Sequence, residues 1–163
     1  MFAPVRVIGI GSPFGLDCIG WDLIAALEQS EKLQTYLDKQ LMLVSLDRPG
    51  VNLLRYLEGA DCVFIVDAVI DDNLVIGEVK SYSIDEIKSV ELLQSAHSFG
   101  VQEVLSLAQS LGKIPQNIKI LGVSVGEKNN KNIDWSGTIS GLAACLESEI
   151  VCICETLVEK SVT

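Results

Sequence analysis

Short apolar runs alternate with helix-like segments along this chain. Four runs are almost continuously apolar, namely Val5 to Ile10, Leu41 to Leu46, Cys62 to Val66 and Ile118 to Val125. Runs of this kind are typical of strands that are covered on both faces. The pattern predicts four buried strands, and we expect the third to end at Asp67.

Apolar residues between and after these runs recur three or four positions apart, as on the buried side of a helix. The helices predicted in this way cover Ile19 to Leu27, Val51 to Glu58, Val101 to Leu111, and Ile139 to Leu157. Gly112 is expected to cap the third of these helices at its C-terminus.

A fifth strand is predicted over Leu74 to Tyr82, with interruptions at Gly77 and Lys80, in an antiparallel or edge position. Asp71 and Asp72, just before it, are interpreted as a solvated turn. Alternating strands and helices favour a mainly parallel sheet with helices on both faces. We therefore predict one α/β domain over residues 1–163, a three-layer α/β/α sandwich with about five strands.

Charge and cysteine content exclude some classes of function. The formal net charge is −10, from 22 acidic and 12 basic residues, and nucleic-acid binding depends largely on clustered Lys and Arg. Five cysteines without a signal-peptide pattern indicate reduced thiols, and no run is long enough to span a membrane. We expect a cytoplasmic monomer that binds neither nucleic acid nor membrane.

Three residues of metal-binding types follow or lie near the predicted strands. Asp17 ends the loop after the first strand, Asp67 follows the third, and His97 is the single histidine of the chain. Parallel strands bring their carboxyl ends to one edge of the sheet, where open α/β proteins bind ligands. Two carboxylates and one imidazole suit zinc, nickel or iron and leave positions open for substrate. We predict a metal-contacting site at this edge.

Three other interpretations remain open. The segment Gly9 to Gly15 lies between a strand and a helix like a dinucleotide fingerprint, although its third glycine comes one residue late and Pro13 lacks an amide donor. Acids after the first and third strands are also found in receiver-type signalling domains, but Lys128 lies well past Val125, the end of the last predicted strand. Cys18 beside a helix N-terminus could act with His97 as a cysteine peptidase.

Four blocks of the chain resemble the nickel-iron hydrogenase maturation endopeptidases. The segment Gly9 to Gly20 is similar to that family's Gly-x-Gly-Asn-x-x-x-x-Asp-(Asp/Glu)-x-x-Gly opening, but is one residue shorter and has Ser12 in place of asparagine. The other three blocks are Asp47 to Leu54 with Ala60 to Val69, Ser95 to Gly100 with Leu111 to Pro115, and Ile118 to Val123. Together they cover nearly the whole chain.

The resemblance implies an endopeptidase that removes a C-terminal extension from the hydrogenase large subunit after nickel insertion. It implies that Asp17, Asp67 and His97 contact nickel carried by the substrate and serve as the catalytic residues, with no organic cofactor. The expected partner is the precursor large subunit. A different gap placement in the first block would give the position of Asp17 to Cys18.

Overall fold

A computed structural model of the chain describes residues 3–13, 18–87, 91–92, 100–126 and 133–162. Its strands are β1 (Val5–Gly11), β2 (Leu41–Asp47), β3 (Cys62–Ile70), β4 (Val79–Tyr82), β5 (Glu91–Leu92) and β6 (Asn117–Ser124). Its helices are α1 (Ile19–Glu28), α2 (Glu31–Gln34), α3 (Leu54–Leu57), α4 (Ile84–Ile87), α5 (Val101–Ser110) and α6 (Trp135–Val162), with a 3-10 turn over Gly50–Leu53 before α3.

The strands form one sheet in the order β2-β1-β3-β6-β4. β1, β2, β3 and β6 are parallel, whereas β4 pairs antiparallel with β6 at one edge. The short β5 pairs antiparallel with Val69 and Ile70, beyond Val66, where the pairing of β3 with β1 ends. The carboxyl ends of the four parallel strands therefore share one edge, which we call the carboxyl edge.

Two hydrophobic layers enclose the sheet because its central strands are apolar on both faces. Every residue of β1 is buried, as are the first eight residues of β3. Phe64 and Val66 of β3 pack on one face with residues of α1 and α6. Val63 and Ile65 pack on the other face with residues of α3 and α5. The predicted three-layer α/β/α sandwich with a mainly parallel sheet is confirmed.

Two strand boundaries differ from the predictions. β3 does not end at Asp67 but continues to Ile70, because the apolar residues Ala68 and Val69 resume the run and pair with β6. The strand predicted from Leu74 is limited to Val79–Tyr82, and Gly77 before it adopts a φ of 90°. A strand thus continues through one buried carboxylate, whereas no strand forms at the glycine with a left-handed backbone conformation.

The helix predictions are close to the observed elements. Gly112, with a φ of 65°, follows α5, and the N–H of Lys113 donates to Ala108 O at 2.8 Å. This is the Schellman arrangement, in which a left-handed glycine ends a helix. In the described ranges, no helix combines the length and apolar character that crossing a bilayer requires.

Candidate functional site

Buried polar side chains concentrate at the carboxyl edge. Among the described residues, the buried polar or charged side chains are Arg6, Ser12, Asp67 and Ser124. Arg6 lies near the amino end of β1, whereas Ser12 follows β1 and Asp67 and Ser124 lie in the last halves of β3 and β6. Because burying polar groups costs free energy, the presence of three of these four side chains at the carboxyl edge marks it as the candidate functional site.

Asp67 is the most deeply placed carboxylate at this edge, with 1% of its surface exposed. It lies between Ile65 and Val69 on the strand, and alternation therefore places its side chain on the face covered by α5. Its Oδ1 accepts a hydrogen bond of 2.9 Å from the N–H of Ala68. The backbone of β3 thus orients one carboxylate oxygen.

Helix α1 reaches the same edge through a very close contact with the sheet. A Cβ atom on Gly20 would lie 2.7 Å from Ile10 N and 2.8 Å from Val66 O, and closer still to Ile10 O. A Cβ atom on Gly9 would clash with Gly20 in the same way. These two glycines let the first turn of α1 rest directly on the backbones of β1 and β3, so Gly9, which lies within β1 and not in a loop, has a packing role.

Cys18 occupies the N-cap position of α1 and is partly exposed. Its Sγ lies 3.4 Å from Asp22 Oδ2, one turn further along the helix. The thiol is therefore at the helix start that the cysteine-peptidase interpretation requires, and it contacts a carboxylate there. The five cysteines are free, as expected for reduced thiols.

The end of β2 adds an ion pair beside β1. Gly11 pairs with Asp47, and the N–H of Arg48 donates to Gly11 O at 3.2 Å. Arg48 adopts a φ of 40°, a left-handed conformation that is uncommon for residues other than glycine. Its Nε lies 2.6 Å from Asp47 Oδ1, and this hydrogen bond holds the pKa of Asp47 below its ordinary value.

The other two predicted site residues, Asp17 and His97, lie outside the described residues, so the three-residue site stays a prediction. The described parts of the chain contain no group of three His, Cys, Asp or Glu side chains that could hold a metal ion. Asp67 is the member of the predicted set that the structure describes, and it lies at the predicted edge although within its strand.

Comparison with known proteins adds to this geometry. The family model of hydrogenase maturation proteases, HycI, matches residues 26–151, which is most of the chain and includes Asp67 and the sheet from β2 to β6. This chain belongs to the hydrogenase maturation protease family. The resemblance stated from the sequence is thereby confirmed.

Curated relatives in the family have moderate identity to this chain. The hydrogenase expression/formation protein HupD of Bradyrhizobium diazoefficiens is 32% identical over 117 residues, which cover 70% of this chain and 58% of HupD. The corresponding protein HoxM of Azotobacter vinelandii is 31% identical over 116 residues, or 69% of this chain and 54% of HoxM. The matched region thus spans little more than half the length of these relatives.

Solved structures with the same fold include two maturation proteases. The hydrogenase maturating endopeptidase HybD from E. coli has a TM-score of 0.68 and 19% identity, with 93% of this chain and 92% of HybD covered. The [NiFe] hydrogenase maturation protease HybD from Thermococcus kodakarensis has a TM-score of 0.59 and 19% identity, with coverages of 90% and 98%. At this identity, the likeness establishes the fold.

Sequence reasoning missed the packing role of Gly9 and Gly20 and the close approach of a side chain to Gly122. A Cβ atom on Gly122 would lie 2.6 Å from Tyr82 Cε2. A glycine inside a strand often marks a close approach by another group. A glycine within a predicted strand was visible in Leu121-Gly122-Val123. Only the sheet order shows which side chain lies close to it.

Proposed function

We propose that this protein is an endopeptidase that removes the C-terminal extension of a nickel-iron hydrogenase large subunit after nickel insertion. The observation that carries the proposal is the buried Asp67 carboxylate at the carboxyl edge, in a chain that belongs to the hydrogenase maturation protease family. A carboxylate this deeply buried at the ligand-binding edge of an α/β sheet is a functional-site candidate.

The proposed reaction uses nickel that is already bound in the substrate. Asp17, Asp67 and His97 would contact this ion and hold it beside the scissile bond. Nickel would polarise the carbonyl, and water would attack it, so no serine or cysteine nucleophile is required. The protein itself would need no organic cofactor, and its partner would be the precursor large subunit.

The number of residues between Leu92 and His97 allows His97 to lie near Asp67. Leu92 pairs with Val69, two residues beyond Asp67, and His97 is five residues after Leu92. Five residues span at most about 17 Å, and the same segment must return to Gly100 at the start of α5. Asp17 directly precedes Cys18, the N-cap of the helix that contacts β1 and β3 at Gly20.

The deciding experiment incubates purified protein with nickel-loaded and nickel-free precursor large subunit. We expect cleavage of the nickel-loaded precursor alone, and loss of that cleavage in His97→Ala. Mass spectrometry of the released peptide identifies the cleaved bond. Cleavage that occurs without nickel and survives the His97 substitution would refute the proposal.

Cysteine-peptidase chemistry is the second candidate, because Cys18 is partly exposed at the N-cap of α1. Cys18→Ser separates the two mechanisms. The metal mechanism predicts that this variant processes the precursor at the wild-type rate, whereas a cysteine nucleophile predicts complete loss. Cys145→Ser, at an exposed position on α6, is the matched control.

A further inference from the structure

The ring of Tyr82 fills a space beside the candidate site. Tyr82 is 3% exposed and lies in the hydrophobic layer on the α5 face, although it belongs to the edge strand β4. A Cβ atom on Gly122 would lie 2.6 Å from Tyr82 Cε2 and 2.7 Å from Val69 Cγ1. The ring therefore reaches across β6 and occupies, with Val69, the volume that a side chain at position 122 would take.

That volume is next to the Asp67 carboxylate. Gly122 is the β6 partner of Asp67 in the parallel register, and adjacent strands are about 4.8 Å apart. Asp67 shares the α5 face with Val69 and with Tyr82. Tyr82 thus forms the wall of the site on its β6 side.

A hydrogen bond anchors this wall to the loop after β3. The hydroxyl of Tyr82 donates to Asp71 Oδ2 at 2.8 Å, while Asp71 Oδ1 accepts from the backbone N–H of Asn73 at 3.0 Å. These two hydrogen bonds, the backbone one foremost, lower the pKa of Asp71, so it acts as an ionised acceptor. Asp71 lies in a turn that includes the exposed Asp72, as predicted, and its carboxylate also accepts the hydroxyl of a buried ring.

We propose that Tyr82 is a positioning residue of the processing reaction, whose ring, anchored by its hydroxyl to Asp71, holds the Asp67 carboxylate in its reactive orientation. This inference rests on the proposed function. The N–H of Ala68 orients one oxygen of Asp67 from within β3, and the ring of Tyr82 limits rotation and water entry from the β6 side. Losing the anchor should slow cleavage without preventing substrate docking.

The test compares Tyr82→Phe, Asp71→Ala and the double variant in single-turnover cleavage of nickel-loaded precursor. We expect each single variant to lower the rate at saturating enzyme by about tenfold, the kinetic equivalent of one hydrogen bond. The enzyme concentration at half-saturation should be unchanged. Because both substitutions remove the hydrogen bond between Tyr82 and Asp71, the double variant should be no slower than the slower single variant.

Tyr36→Phe is the matched control, because Tyr36 packs on the opposite face of the sheet, against the layer that contains α1 and α6. It should leave the rate unchanged. Wild-type rates in Tyr82→Phe, or single effects that multiply in the double variant, would overturn the inference.

A second measurement separates this inference from the proposed function. Hydrogen exchange of the Ala68 amide, relative to that of Phe64 in the same strand, reports how firmly Asp67 Oδ1 is held. We expect the ratio to rise in Tyr82→Phe and to stay constant in Tyr36→Phe. A global loss of stability would accelerate both amides alike, so an unchanged ratio would overturn the inference. Wild-type protein that fails to cleave the loaded precursor would instead refute the proposed function.

Discussion

Arg6 and Asp67 are the two buried charged residues of the central strands, and they lie at opposite ends of the sheet. Each is 1% exposed, and they lie on the neighbouring strands β1 and β3. Arg6 is at the amino end, where its guanidinium donates to Ala3 O at 2.9 Å, Tyr56 O at 2.8 Å and Glu58 O at 3.0 Å. Asp67 is at the carboxyl end, where its carboxylate accepts from the adjacent Ala68 N–H.

The difference shows how burial can serve structure or chemistry. Burial lowers the pKa of Arg6, but carbonyls of the chain around α3 surround the guanidinium, so the residue joins β1 to distant segments. Asp67 is oriented from within its own strand, at the edge where α/β folds bind ligands. We therefore expect Arg6 to determine stability and Asp67 to determine activity.

The largest effect is expected for Asp67→Asn. This substitution keeps the shape of the side chain but removes its charge, so processing of nickel-loaded precursor should fall by at least about 100-fold. The free energy of unfolding should change little. Asp61→Asn, at the exposed position just before β3, is the control and should process normally. Substantial processing by Asp67→Asn would contradict the assignment of the site.

Arg6→Met should produce the reverse result. Three backbone carbonyls would lose their donor, and we expect the free energy of unfolding to fall by about 3 kcal/mol. The cleavage rate per folded molecule should equal that of wild type. Urea denaturation measures the stability, with the exposed Arg55→Met as control. A stable but inactive Arg6→Met would show that the amino end also contributes to the reaction.

Alanine substitution of two helix glycines, Gly20 in α1 and Gly141 in α6, tests how closely α1 packs at the carboxyl edge. Gly20→Ala would push a Cβ atom into the backbones of Ile10 and Val66, and backbone atoms cannot easily move aside. We expect a loss of roughly 2 kcal/mol in the free energy of unfolding and slower processing, because α1 must shift at the carboxyl edge. Gly141→Ala in α6 meets no atom within 4 Å and should stabilise the protein by about 0.5–1 kcal/mol. Equal effects at both positions would contradict the close contact.

The smallest expected effect is the dependence of stability on pH through Asp71. Because hydrogen bonds hold the pKa of folded Asp71 below its ordinary value of 3.8, the ionised carboxylate stabilises the fold above that pH. This contribution is lost as the pH falls through the lower folded pKa. Thermal unfolding should therefore show a stability difference between wild type and Tyr82→Phe near neutral pH that shrinks in strong acid. A difference that stays constant down to the lowest pH would show that Asp71 is not the acceptor.

The apolar runs and helical spacings predicted most of the fold, because they report burial directly. A predicted strand boundary was wrong where a single polar residue interrupts an apolar run. At Asp67 the strand was expected to end, but it continues through the buried carboxylate. Short elements such as α2, α4 and β5 were missed because four or fewer residues carry too little periodicity. For α2, the sequence offered Ser30 as a helix N-cap, and its side chain accepts a hydrogen bond from Leu33 N–H in the structure.

The sequence by itself determined the layered architecture, the family and the residue types that could contact a metal, since these depend on composition and order along the chain. Tertiary structure alone decided that Asp67 is buried beside Gly122, and that Tyr82, from an edge strand, fills the space above that glycine. Such neighbours are set by strand order and register. Pairing between segments that are distant in sequence leaves no local periodic trace.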